Sequence, residues 1–150
     1  MYLRTNKTKS GGKVHVYRSI AHNVWCGAST QRKSKTRPVV IARLGAAADV
    51  DECIARELVI ALESCFGLQL QPVRGGGRWA ELEQIAGQVR PLEGFLRVLV
   101  NPRLGLARYL PDNGNRVTLL EDLVRDRLAD PAGGEVEATL WESLRAGDDA

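Results

Sequence analysis

Residues 13–25 read KVHVYRSIAHNVW, and this stretch decides the first half of the fold. It is rich in β-branched and aromatic residues, which favour strands over helices. One parity of the stretch is mostly apolar and carries Val14, Val16, Ile20 and Val24. The other parity is mostly polar. Alternation of this kind predicts a β-strand with one apolar and one polar face.

A second strand is predicted at residues 37–45, RPVVIARLG, because a continuous apolar centre is typical of a well-buried strand. The residues between the two strands form a polar loop with Gly and Ser as breakers. Two strands joined by one loop predict an antiparallel hairpin with a basic tip. Because a lone hairpin is marginally stable in water, it needs a packing partner. We expect this partner to be an amphipathic helix over residues 50–65, with Asp49 and Glu52 as its capping box.

The second half of the chain has the pattern of short helices. Helical spacing of apolar residues occurs in 79–89, 92–100 and 135–145, and Thr118 with Glu121 forms a capping box for a helix that ends near Ala129. The predicted fold class is α+β, an N-terminal antiparallel β-hairpin packed on a helix, followed by a small all-helical region. The predicted parts are 1–67, a Gly-rich linker at 68–78, and 79–146.

Charge is strongly segregated along the chain. Residues 1–45 contain five lysines, five arginines and no acidic residue. The remaining residues carry eleven arginines and all eighteen acids, a net charge of −7. Such asymmetry between the two parts of a chain indicates a polyanion as the partner of the basic part. The alternative is a basic tail that only improves solubility.

Nucleic acid is the polyanion that this pattern favours, because phosphate contacts need long cationic side chains with no carboxylates nearby. Tyr17 and Trp25 lie in or beside the basic segment and could either stack on bases or pack against the helix. Charge alone does not distinguish DNA from RNA. The predicted phosphate-contacting residues are Arg4, Lys7, Lys9, Lys13, Arg18, Arg32, Lys33, Lys35 and Arg37.

The sequence offers little for catalysis or metal binding. His15 and His22 have opposite parities in the predicted strand, so they point to opposite faces and cannot form one cluster with Cys26. Three scattered cysteines and two histidines predict no zinc site, and we expect no cofactor. The apolar runs are too short to span a bilayer and the N-terminus lacks the apolar core of a signal peptide. A cytoplasmic protein with no membrane partner is therefore expected.

The segments MYLR at 1–4, YRSIAHNV at 17–24 and RLG at 43–45 resemble the N-terminal region of bacterial insertion-element DDE transposases. That region has a tyrosine-bearing strand, a basic loop, a second strand closing in Leu-Gly or Phe-Gly, and then a helix. The resemblance spans roughly residues 1–65. In the family a ribonuclease H-like domain follows, in which three carboxylates hold divalent metal.

No segment after residue 65 matches such a catalytic domain, so the resemblance assigns no catalytic residue to this chain. It implies a truncated or frame-disrupted transposase relative that keeps the N-terminal part facing DNA. The expected partner is DNA, bound either with tolerance of sequence or at the ends of the element, and a homo-oligomer stays an open alternative. We therefore expect DNA binding without catalysis by this chain alone. The alternative function is a small helical module that binds another protein and carries a basic tail.

Overall fold

A computed structural model describes residues 1–26, 35–68, 78–106, 110 and 115–132. The chain is an α+β protein, and over the described residues a three-stranded antiparallel sheet precedes four helices. The strands are β1 (Tyr2–Ser10), β2 (Lys13–Cys26) and β3 (Lys35–Ala46). The helices are α1 (Glu52–Cys65), α2 (Arg78–Val89), α3 (Glu93–Val100) and α4 (Asn115–Ala129). Short 3₁₀ turns occupy Ala47–Asp49, Arg90–Leu92 and Pro102–Leu104.

The predicted β2 and β3 form the expected antiparallel pair, but the sheet has one more strand than the sequence pattern predicts. Residues 2–10, for which the sequence pattern predicts no strand, form β1, which pairs with β2 from Tyr2 opposite Ala21 to Ser10 opposite Lys13. Gly11 and Gly12 join the two strands with φ of +57° and +76°. Two consecutive residues with positive φ make the tight type I′ turn, whose twist matches that of the strands it connects.

The three strands are staggered, with β2 in the middle. β1 covers β2 up to Ala21, whereas β3 covers it only from Tyr17 onward, where Tyr17 faces Ala46. All three strands therefore lie side by side only along residues 17–21 of β2. Each end of the sheet is two-stranded, with β1 and β2 at one end and β2 and β3 at the other.

The helix that follows the sheet begins two residues later than the predicted capping box. The cap of α1 is Asp51, whose Oδ1 accepts a hydrogen bond from the Ile54 N–H at 3.1 Å. Asp49 ends the preceding 3₁₀ turn and forms an ion pair with Arg103 at 3.1 Å. The predicted cap at Asp49 is wrong because that turn holds Asp49 away from the start of the helix.

The last described helix also departs from its predicted capping box, but it begins earlier than predicted. α4 begins at Asn115 and ends at Ala129, so its end is as predicted while Thr118 lies inside the helix and is exposed. α4 packs along α1. The Arg116 guanidinium contributes to this packing by an ion pair with Glu57 at 3.3 Å. The predicted helix at 135–145 lies outside the described residues.

One hydrophobic core joins the sheet to all four helices. A single cluster of buried residues draws on every one of these elements, including Ile20, Ile41, Leu58, Leu62, Leu82, Leu96 and Leu120. Residues on both sides of the predicted linker thus bury one another. The linker itself falls almost entirely in residues 69–77, outside the described part of the chain. The division into 1–67, 68–78 and 79–146 stays a prediction.

The start of the chain is anchored in this core. The amino group of Met1 forms a buried ion pair with the Glu63 carboxylate near the end of α1. A charged pair placed among apolar side chains keeps its charges only because each group satisfies the other. This contact fixes the start of β1 against the helical layer, at the end of β1 that lies away from the Gly11–Gly12 turn.

Candidate nucleic-acid interface

Strand pairing places each predicted contact residue at a definite position along the sheet. Lys7, Lys9 and Lys13 lie at the two-stranded end formed by β1 and β2. Arg4 and Arg18 face the middle of the sheet. Lys35 and Arg37 lie on β3 at the opposite end, paired with Cys26 and Val24. Arg32 and Lys33 lie outside the described residues.

The pairing brings Lys7 and Lys9 of β1 close to the start of β2 and separates them from the start of β3. Lys7 is opposite Val16 and Arg37 is opposite Val24, so eight residues of β2 separate the two groups of cations. At the rise of a β-strand this separation is about 26 Å. The basic segment therefore presents cations at both ends of the sheet, with Arg4 between them.

The first of these ends extends beyond the rest of the molecule. We call residues 7–16 the projecting ribbon; its four strand pairs run from Lys7 opposite Val16 to Ser10 opposite Lys13. β3 has no partner in this part of β2, since its pairing stops at Tyr17. All residues of the ribbon are exposed except Val16, which is half-buried. The ribbon thus meets solvent on both of its faces.

The two faces of the sheet differ in chemistry. Alternate residues of a strand point to the same side of the sheet. Ile20, His22 and Val24 of β2 therefore lie together, on the side that packs against the helices, and all three are buried. The opposite side, which we call the open face, carries the alternate residues of β2 from Lys13 to Trp25. On it, Tyr17 is 44% exposed.

Polar and aromatic side chains cover the open face in an ordered array. The rings of His15 and Tyr17 stack with their centroids 6.5 Å apart. The Tyr2 hydroxyl donates to the Asn23 Oδ1 at 2.8 Å. Further along, the Asn6 amide donates to the Ser19 hydroxyl, also at 2.8 Å. These contacts hold the side chains of neighbouring strands in fixed positions above the sheet.

Arg43 is a cation on the open face that is absent from the predicted contact residues. It is paired with Ser19 in the register and its side chain is exposed. Its backbone N–H donates to Glu93 Oε1 at 3.1 Å, and its carbonyl accepts from Arg97 Nε at 3.3 Å. These side chains of α3 cover the free edge of β3, as edge strands commonly require. The sequence feature that points to Arg43 is its position within residues 1–45, which contain no acidic residue.

Charge pairing divides the predicted cations into two groups. Arg18 is neutralised, since its Nη2 lies 2.9 Å from Glu52 Oε2 and its Nη1 donates to the Thr5 hydroxyl. Within the described ranges, the other predicted cations with a described side chain have no carboxylate within ion-pair distance; they are Arg4, Lys7, Lys9, Lys13 and Arg37. Unpaired, solvated cations of this kind are available to phosphate groups.

The two histidines lie on opposite sides of the sheet, as their parities predict. His22 is buried, and burial lowers the pKa of its imidazole, with smaller effects from the Met1 amino group and Arg78 in the same direction. Its Nε2 has no hydrogen-bond partner among the residues that the structure describes. His15 is exposed on the ribbon. The structure therefore does not bring the two imidazoles together.

The described residues include no group of three or more His, Cys, Asp or Glu side chains arranged to hold a metal ion. Among the same residues, no helix combines the length and apolar character that crossing a bilayer requires. No family model, curated protein or solved structure matches this chain.

Proposed function

We propose that this chain binds duplex DNA through phosphate contacts made by the cations of its sheet. The observation that carries the proposal is the combination of two facts. The sequence has no acidic residue before Asp49, and five of the predicted cations lack a carboxylate partner in the described structure. Cations that are already neutralised gain little from a phosphate, whereas solvated ones release condensed counterions from DNA.

The expected binding is tolerant of sequence, because phosphate contacts carry no base information. The order of tyrosine-bearing strand, basic loop, second strand and helix supports a relationship to the DNA-facing region of insertion-element transposases. We extend the proposal to that relationship, with no strand cleavage by this chain alone. Within it, binding to the ends of such an element is the alternative to sequence-tolerant binding. Self-association on DNA and a cytoplasmic location belong to the same proposal.

The test is the salt dependence of binding to a duplex of about two helical turns, measured by fluorescence anisotropy. If about six cations meet phosphates, the logarithm of the association constant falls against the logarithm of salt with a slope of roughly −5. A slope near zero, or no binding at low salt, overturns the proposal. Incubation of supercoiled DNA with the protein and a divalent metal tests the expected absence of strand cleavage, since reproducible nicking contradicts it.

A matched pair of triple variants separates local charge from net charge. Lys7→Gln/Lys9→Gln/Lys13→Gln removes three unpaired cations, and the slope is expected to become shallower by about three. The control removes the same charge from three exposed arginines outside the sheet, each of which is already paired with an acid. That control is Arg56→Gln/Arg103→Gln/Arg125→Gln. It is expected to keep the slope of the parent protein.

A further inference from the structure

The projecting ribbon has the dimensions of an element that enters a groove of DNA. Its four strand pairs beyond β3 extend about 13 Å, and the Gly11–Gly12 turn adds to this length. With one face toward the bases, a ribbon of this length can lie along the floor of the major groove of B-form DNA, which is about 8.5 Å deep. The pairing of β3 ends at Tyr17, and Ala47 and Ala48 of the following 3₁₀ turn line a shallow hollow with Val14 and Val16. Residues 7–15 are nevertheless exposed, so they can enter a groove ahead of the bulk of the protein.

The width of the ribbon fits the major groove of B-form DNA and not the minor groove of DNA or the major groove of A-form RNA. Two strands lie about 4.8 Å apart and a sheet with its side chains is about 10 Å thick. The major groove of B-form DNA is about 12 Å wide and admits a two-stranded ribbon, whereas the minor groove is about 6 Å wide. The deep, narrow major groove of A-form RNA is closed to side chains.

The two faces of the ribbon match the two surfaces that a groove offers. On the side that continues the open face, Thr8, Ser10, Lys13 and His15 all carry hydrogen-bonding groups, and the register places them in two directly opposed pairs. Hydroxyl and cationic side chains of these types pair with the edges of bases. On the other side, Lys7 and Lys9 have the long flexible stems that reach phosphates flanking a groove.

We propose that the projecting ribbon inserts into the major groove of B-form duplex DNA, with the face that bears Thr8, Ser10, Lys13 and His15 toward the bases. This inference rests on the proposed function and adds the form of nucleic acid and the element that recognises it. Insertion requires the length of the ribbon as well as its charge, and this requirement makes the inference testable apart from simple phosphate binding.

The deciding variant is a shortened ribbon that lacks Thr8, Lys9, Val14 and His15. Removing two residues from each strand preserves the alternation of faces, so Ser10 opposite Lys13 follows directly on the preceding pair with its side chains on the correct side. The Gly-Gly turn is unchanged. Everything from Tyr17 onward, where β3 and the helices pack, is also unchanged, and a thermal melt checks that the fold is kept.

Lys9→Gln is the matched control, because it loses the same charge in a ribbon of full length. We expect the shortened ribbon to bind duplex DNA about tenfold more weakly than Lys9→Gln, since each lost set of base-edge contacts contributes on that order. With the parent protein, we expect a major-groove ligand such as methyl green to compete and a minor-groove ligand such as netropsin to compete poorly. Duplex RNA of the same sequence is expected to bind at least about tenfold more weakly than DNA.

Equal affinities of the shortened ribbon and Lys9→Gln, together with equal binding of duplex RNA and DNA, overturn ribbon insertion and leave the proposed phosphate binding in place. Competition by netropsin with none by methyl green overturns the assignment to the major groove. Absence of binding by the parent protein to any duplex overturns the proposed function and this inference together.

Discussion

The guanidinium of Arg18 on β2 lies 2.9 Å from a carboxylate oxygen of Glu52 in the first turn of α1. This contact neutralises one cation in the middle of the sheet, because α1 brings an acid to β2 at that point. The pKa of Glu52 is held below its ordinary value by a hydrogen bond from Arg56 and by the charge of Arg18. The carboxylate is therefore ionised at neutral pH.

Glu52→Gln is expected to strengthen DNA binding and to steepen the salt slope by up to about one, because it releases Arg18 from its partner. Arg18→Gln is expected to leave the slope unchanged. Asp126→Asn, an exposed position on α4, changes net charge by the same amount and is the control for Glu52→Gln. If Asp126→Asn steepens the slope as much as Glu52→Gln does, the effect is one of overall charge.

The shared core predicts that the described chain unfolds as one unit. Leu96 on α3 is fully buried in the cluster that includes Ile20 and Leu58. Leu96→Ala is expected to lower the free energy of unfolding by about 2–5 kcal/mol, the usual result of a large-to-small change in a core. Circular dichroism and tryptophan fluorescence should report the same single transition. Two separated transitions, with only one shifted by Leu96→Ala, would support the predicted division at 68–78.

The turn between β1 and β2 predicts a sharp difference between two substitutions at one position. Gly11 has φ of +57°, a conformation that asparagine adopts readily and β-branched residues do not. Gly11→Val is expected to cost on the order of 1–2 kcal/mol locally, to fray the ribbon and to weaken DNA binding. Gly11→Asn is expected to behave like the parent. Hydrogen exchange of the Thr8 and His15 amides measures the fraying, and equal protection in both variants would contradict the turn assignment.

His22 predicts a dependence of stability on pH. Because its pKa is lower in the folded than in the unfolded state, the unfolded chain binds more protons as pH falls below about 6.5. Stability present above that pH is therefore lost on acidification, at no more than about 1.4 kcal/mol per pH unit from this group. The groups that face it are the Met1 amino group and Arg78, which lower the pKa, and Glu81, which raises it.

The measurement is the free energy of unfolding at pH 7.5 and 5.5 (about one unit on either side of the ordinary histidine pKa) for three proteins. We expect His22→Leu to lose less stability between these two pH values than the parent does. His15→Gln, on the exposed ribbon, should match the parent. An unaltered pH dependence in His22→Leu would exclude this histidine as the source.

We predict that the cations at the β2–β3 end of the sheet contribute to DNA binding independently of the cations on the projecting ribbon. Replacement of Arg32, Lys33 and Lys35 by Ala is expected to weaken binding to all sequences similarly, because phosphate contacts do not distinguish bases. The described part of this end lies about 26 Å from the ribbon, well beyond the screening length of about 8 Å at physiological salt. The losses from this triple variant and from Lys7→Gln/Lys9→Gln/Lys13→Gln should add. Unchanged affinity in the loop variant would remove the loop from the interface.

Much of the architecture follows from local patterns that need no knowledge of the fold. The alternation in residues 13–25, the apolar run at 37–45 and the helical spacing of Leu82, Ile85 and Val89 each correspond to a described strand or helix. The strand at Tyr2–Ser10 was missed, although the Gly11–Gly12 pair between two extended segments is a recognised hairpin signal. The predicted helix caps failed because several acids and hydroxyls compete near each helix start, and backbone geometry chooses among them.

The segregation of charge is a property of the order of residues along the chain, and the amino-acid sequence by itself determines it. The distribution of those charges over two ends and two faces depended on strand register, which a turn and long-range pairing set together. The neutralisation of Arg18 depended on where α1 begins relative to β2, and the burial of His22 on which side of the sheet the helices cover. These relationships join residues far apart in the chain, so no local window of sequence contains the forces that determine them.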